Sequence, residues 1–149
     1  LNIHLTVVGR GGMEDWAKGF IGQKALERSV SWMGNVSDPA LASLYESCDC
    51  VVIPSRSESI PLVFSEALRF DKDLIVSDVG DMGMLGRQYG VARVIPPEDP
   101  GALREVMKLT AGVGHSENEK GNGKREELRK LFNLETSVER FLADYLVQL

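Results

Sequence analysis

Five short apolar runs alternate with stretches of helical periodicity along this chain, and that alternation restricts the fold more than any other feature. The runs NIHLTVV (2–8), VSWM (30–33), CVVIP (50–54), LIV (74–76) and ARVI (92–95) have the length of strands. Helical patterns fill the intervals at 13–27, 38–47, 61–70 and 81–89. Strands covered on both faces read as continuous apolar runs, and strands joined through a helix pair in parallel by right-handed crossovers. The expected architecture is therefore α/β, a parallel sheet of about five strands with helices on both faces.

The rest of the chain extends this frame. Asp38 is placed to cap the second helix, with Leu41, Leu44 and Tyr45 on its apolar face. A helix over 99–109 follows Pro96-Pro97, and the glycine-rich polar stretch 112–124 reads as a mobile surface loop. Two closing helices are expected at 124–132 and 135–148, the second amphipathic through Val138, Phe141, Leu142, Tyr145 and Leu146. Trp16 and Trp32 read as core residues, and there is no internal repeat.

Size and charge narrow the function. A chain of 149 residues, 43% hydrophobic and 26% charged, suits one domain over 1–149 with an ordinary core. A net charge of −5 argues against nucleic acid as a partner, because that surface needs a basic patch. Cys48 and Cys50 lack the further cysteines or histidines that a zinc site requires, so they read as reduced, half-buried thiols of a cytoplasmic protein. No apolar run approaches the roughly 20 residues of a membrane-spanning helix, and no signal peptide is visible. The start Leu1-Asn2-Ile3, already in strand pattern and without methionine, looks like a piece of a longer chain.

The chemistry concentrates in PSRSESIPLVFSEAL (54–68). Glu58 falls in the loop at the carboxyl end of a strand, and Glu66 about one and a half turns into the next helix, whose first turn holds Pro61. Ligands bind there in an open parallel sheet, because helix amino termini direct unpaired N–H groups into the crevice above the strand ends. A carboxylate at that place repels phosphate but accepts hydrogen bonds from sugar hydroxyls, so the pair suggests a nucleotide sugar. Glu66 also shares a polar arc with Ser65 and Arg69, which is what a solvated helix face looks like.

Other candidates are less specific. Gly9-Arg10-Gly11-Gly12 after the first strand lets a backbone approach a phosphate, with Arg10 a candidate diphosphate contact, yet a tight turn needs glycine anyway. It is neither G-x-G-x-x-G nor a P-loop. Gly34-Asn35-Val36 borders the same crevice or simply leads into a helix cap. His4 and His115 have no partner at an interpretable spacing, and no acceptor aspartate stands at Pro54-Ser55 for a receiver-type domain.

Taken in order, VVGRGG, VSWMGNVSDPALASLYESCDCVVIPSRSESIPLVFSEAL, DLIVSDVG and PPEDPGALREVM resemble the carboxyl-terminal domain of GT-B glycosyltransferases of family 4, over most of residues 3–110. The E-x7-E motif from Glu58 to Glu66, in its P-S-x-x-E-x-x-P-L-V-x-x-E-A setting, carries the resemblance. It implies a Rossmann-like half of a GT-B fold whose first strand–helix unit, with the Arg and Lys that neutralise the donor diphosphate, precedes Leu1. It further implies that Glu66 bonds the donor ribose and Glu58 a hydroxyl of the donor sugar. The helix start, Ser59, Ile60, Pro61, Leu62 and Val63, would meet the diphosphate and sugar, and Gly34, Asn35 and Val36 the base, with Gly9, Arg10 and Gly11 nearby. Three departures stand out: Ser59 where the pattern has glycine, Gly80-Asp81 for Gly-Gly, and Asp71-Lys72-Asp73 for Gly-Lys-Pro.

The implied activity is retaining transfer of a sugar from a nucleotide diphosphate to a saccharide or lipid-linked acceptor, in glycan, polysaccharide or lipopolysaccharide synthesis. The acceptor is held by a missing amino-terminal domain, and the isolated piece is expected to be inactive. Such enzymes work without a metal or other cofactor. The setting is cytoplasmic, with any peripheral contact to the inner face of the membrane made through the missing part. A different class of function, a non-catalytic nucleotide- or sugar-binding or docking module, is kept open by Ser59 and by the absent basic unit. A GT-B epimerase or phosphorylase would need catalytic residues that the sequence does not reveal.

Overall fold

Where the apolar runs predict strands, the computed structural model, which describes residues 3–112 and 122–133, forms them. They are β1 (Leu5–Val8), β2 (Val30–Gly34), β3 (Cys50–Ile53), β4 (Asp73–Ser77) and β5 (Ala92–Ile95). All pairings are parallel and fall into two ladders, β1-β2 and β3-β4-β5. The chain divides accordingly into two compact units, Leu1–Ser47 and Cys48–Leu149. Residues 113–121 of the loop expected over 112–124, and the closing helix expected over 135–148, lie outside the described residues.

In the first unit, β1 and β2 run in register from Leu5↔Val30 to Val7↔Trp32, and a shift after Val7 sets Val8 opposite Gly34. Helix α1 (Glu14–Gln23) stops four residues before the periodicity does. Ala25 turns left-handed at φ 52°, and the Ala25 and Leu26 amides close back on the Gly22 and Ile21 carbonyls at 3.1 and 3.0 Å. That six-residue closure ends a helix wherever it forms, and Gly19 and Gly22 weaken the turns before it. Trp16 is exposed rather than core and stacks on Phe20 with centroids 5.5 Å apart, while Trp32 is half-buried. In α2 (Asp38–Ser47), Asp38 is the first helical residue, so the capping position falls to Ser37, whose carbonyl accepts the Leu41 amide at 2.9 Å.

The second unit holds most of the buried core. Its helices are α3 (Leu62–Arg69), α4 (Gly80–Tyr89), α5 (Pro100–Gly112) and α6 (Asn122–Leu131). Leu74, Ile75 and Val76 of β4, the central strand, are buried together with Ile53, Phe64, Leu68, Met82 and Leu128. Burying a side chain of that size contributes about 1.5–3 kcal/mol relative to leaving it in water. Asp99 caps α5 through its carboxylate, which accepts the Ala102 amide at 2.9 Å. The flanks of the expected loop are helical, since α5 continues to Gly112 and α6 begins at Asn122.

Helix α3 ends in another left-handed closure, with Asp71 at φ 59° where glycine is the usual choice. The Asp71 amide reaches the Leu68 carbonyl at 3.1 Å and the Lys72 amide the Ala67 carbonyl at 2.9 Å. The Asp71 carboxylate then accepts from Arg125 and Arg129 of α6, each at 2.9 Å. Arg125 is itself buried and donates also to the Lys72 and Val91 carbonyls. Partial burial works to raise the Asp71 carboxyl, and the two guanidiniums outweigh it, holding the group below its usual range.

Candidate functional site

The carboxyl end of β3 leads into the loop 54–61 and then into α3, so the site is built where a strand hands over to a helix amino terminus. Two anchors hold that loop. At its base the buried Ser77 hydroxyl, at the end of β4, is shared between the Ile53 and Ser55 carbonyls at 3.3 and 2.5 Å. At its tip the backbone of Glu58 and Ser59 lies on Gly80, the first residue of α4. A Cβ at Gly80 would run into the Glu58 carbonyl oxygen and come within 3.0 Å of the Ser59 Cα, and Gly80 has φ 49°. Only glycine combines that backbone with that approach.

Ser59 is gripped further. Its carbonyl accepts the Met82 amide at 3.2 Å, and its hydroxyl donates to the Asp81 carboxylate at 3.2 Å. Val79 precedes α4 without a side-chain cap, so a carbonyl from the site loop serves one of the helix's unpaired amides. Both Ser59 and Asp81 are departures from the glycine pattern of the resemblance, and here they bond to each other. No spacing in the sequence announces this, because the partners lie 22 residues apart in different elements.

The expected site residues take these places. Glu58 is exposed in the anchored loop, and Glu66 is half-buried in α3. Pro61 stands at the capping position, not in the first turn as the periodicity suggests, with φ −74° and ψ 149°. Its carbonyl accepts the Phe64 amide at 2.9 Å, and with no side chain to offer it caps nothing else. Ile60, Leu62 and Val63 are exposed around it, while Phe64, Ala67 and Leu68 hold the opposite side of α3 in the core.

In the first unit, the Gly9 amide donates to the Gly34 carbonyl at 2.8 Å and so joins two of the singled-out turns. Arg10 lies across Gly34, its Nε 3.7 Å from where a Cβ would stand. Gly11 gives its carbonyl to the Glu14 amide at 3.1 Å, Asn35 is exposed and Val36 half-buried. Lys18 pairs with Glu14 at 2.7 Å, and its hydrogen bond draws the Glu14 carboxyl below its ordinary value. His4 meets Ser31 at 2.9 Å, a partner its position in the sequence does not suggest.

Both cysteines are free thiols and half-buried, and burial pushes the Cys50 thiol up to about 12. Among the described residues no three His, Cys, Asp or Glu side chains gather as a metal site, and no helix is long and apolar enough to cross a membrane.

Comparison with known proteins gives the family and the fold. The profile of the family described as glycosyl transferases group 1 matches residues 1–111. The O-antigen chain mannosyltransferase C of Escherichia coli is 28% identical over 144 residues, covering 95% of this chain and 38% of its own. The chain spans about a third of the length of the curated relatives it matches. Among solved structures, sucrose-phosphate synthase from Thermosynechococcus elongatus superposes with a TM-score of 0.79 at 23% identity, over 97% of this chain and 39% of its own. Anabaena HepE, solved in complex with UDP, superposes with a TM-score of 0.74 at 19% identity, over 99% of this chain and 41% of its own. These likenesses show the fold.

Proposed function

The chain belongs to the group 1 glycosyl transferases, and on that premise we propose that it is the donor-binding, carboxyl-terminal part of a retaining GT-B enzyme of family 4. The donor is a nucleoside-diphosphate sugar, and the acceptor is a saccharide or lipid-linked glycan held by a domain outside this chain. The UDP bound by HepE and the likeness to the O-antigen chain mannosyltransferase C of Escherichia coli support that choice of donor and product class. One observation carries the reading: an exposed loop bearing Glu58 is anchored at base and tip immediately before a helix that its cap leaves open.

Each residue then has a task. Glu66 accepts hydrogen bonds from the ribose hydroxyls, and Glu58 accepts one from a hydroxyl of the donor sugar. The amides of Ile60, Leu62 and Val63 donate to the diphosphate, whose leaving charge the helix dipole also favours; Pro61 has no amide and sets the entry angle. Ser59 shapes the loop. The acceptor attacks from the donor's own face while the departing phosphate receives its proton, so neither a protein nucleophile nor a metal is needed. The enzyme works at the cytoplasmic side, and any membrane contact is made by its remaining part.

Steady-state kinetics on an active enzyme containing this chain test the roles. Glu66→Ala is expected to raise donor KM, because the ribose changes little between ground and transition states. Glu58→Ala is expected to lower kcat, because contacts to the reacting sugar strengthen as its bond breaks. A lost bond to a charged group costs about 1.5–3 kcal/mol, a tenfold to hundredfold effect. If kcat and KM are unchanged in both variants, the two glutamates are solvated and a binding or docking module replaces the transferase.

A further inference from the structure

We propose that Asp81 is a positioning residue of the donor site, acting through Ser59. The two hydrogen bonds described above run in opposite senses between the same pair of segments. The Ser59 hydroxyl donates to the Asp81 carboxylate and the Met82 amide donates to the Ser59 carbonyl. Together they grip one residue by its side chain and its backbone. Because Ser59 lies between Glu58 and Ile60, that grip fixes the peptide planes on either side of it. One of those planes carries the Glu58 carbonyl that rests on Gly80, and the next carries the Ser59 carbonyl and the Ile60 amide.

The chemistry of the pair explains why an acidic residue is used at the start of α4. A carboxylate in a helix's first turn is favoured by the macrodipole, and Asp81 stands in the first turn of α4. A charged acceptor also makes a stronger bond to a hydroxyl than a neutral one does. The bond to Ser59 leaves that charge in place, so its repulsion of a diphosphate opposes the order it gives the loop. A loop ordered before the donor arrives spares binding the entropy of ordering it. The effect on the ligand rests on the donor-binding reading, whereas the clamp rests on geometry alone.

Two measurements on the 149-residue chain separate those levels. Amide hydrogen exchange reads the clamp. Asp81→Ala is expected to speed exchange at Met82 about fivefold, with Ile75 in β4 unchanged, and Asp81→Asn, which keeps an acceptor oxygen, to restore wild-type rates. Ser59→Ala must reproduce the Asp81→Ala pattern, and it serves as the second variant should Asp81→Ala fail to fold. Unchanged Met82 exchange in the folded variants overturns the clamp. Titration with UDP-glucose reads the site: Asp81→Ala is expected to bind about fivefold more weakly and Asp81→Asn no more weakly than wild type. Equal tightening in both would mean that Asp81 acts only by its charge, which overturns positioning. Absence of UDP-glucose binding by the wild type would count against the donor reading and against a donor-site role for Asp81, while exchange would still decide the clamp.

Discussion

Cys50 and Gly80 show how much a single position can owe to its surroundings. Burial, with the Asp73 and Cys48 charges adding to it, raises the Cys50 thiol to about 12. An ordinary thiol near 8.5 is about one-quarter thiolate at pH 8, so Cys50 holds far less of the reactive form. Cys48 is raised as well, by burial first. Iodoacetamide at pH 8 is therefore expected to label Cys48 before Cys50, and Cys50 only once urea opens the fold; equal labelling by mass spectrometry would contradict this. The sign for stability follows. The folded chain keeps the Cys50 proton above the unfolded thiol's value, so this contribution is full below about pH 8.5 and is lost as pH rises towards 12.

Gly80 and Gly90 form a natural comparison, since both are left-handed, at φ 49° and 63°, but only Gly80 has the Glu58 backbone against it. Gly90→Ala meets open space and should cost about 1–2 kcal/mol from the backbone alone. Gly80→Ala should cost at least about 1 kcal/mol more, because the site loop must move away. Urea denaturation of the two variants measures the difference, and equal losses would mean the loop does not rest on Gly80.

Among the elements, α6 is held by more than apolar contact. Leu128 is fully buried and Phe132 meets Phe64 edge-on at 6.1 Å, but the orientation of the helix is tied by Arg125 and Arg129 to the turn after α3. An aspartate in a left-handed turn is strained relative to glycine by of the order of 1 kcal/mol, and its two ion pairs offset that strain. Arg125→Met leaves buried carbonyls of Lys72 and Val91 without their donor, and should destabilise the fold by about 1–3 kcal/mol at neutral pH. The Asp71 carboxyl is lowered in the fold, so its share is present above about 3.9, the unfolded value, and disappears as pH falls through the lower folded one. The gap between wild type and Arg125→Met in urea denaturation should therefore narrow between pH 7 and pH 3. A gap independent of pH would assign the loss to the carbonyls alone.

At the scale of the whole molecule, the family assignment and the length of the relatives set the expectation. Sugar transfer needs an acceptor site as well as a donor site, and the chain corresponds to about a third of the curated relatives. The 149-residue chain is expected to bind a nucleoside diphosphate without turning over a nucleotide sugar. Release of the nucleoside diphosphate from any donor above a buffer control, in the presence of glycan acceptors, would show that this chain is sufficient.

The sequence by itself determined the order of strands and helices, because apolar runs and helical periodicity are local: β5 and α2 fall where the patterns place them. It also drew attention to Glu58 and Glu66, since a motif spanning one strand end and one helix start lies within a few residues of chain. The ends of elements were less legible. α1 closes at Ala25 and Pro61 caps instead of entering α3, because a left-handed turn or a lost amide decides the last residue, not the periodicity before it. Only the tertiary structure decided that Trp16 is exposed, that Asp71 answers Arg125 across 54 residues, and that Ser59, Asp81 and Gly80 form one seat for the loop. Those pairings join elements that the fold brings together, and their geometry depends on how β4 hands over to α4, a distance in space that no spacing along the chain records.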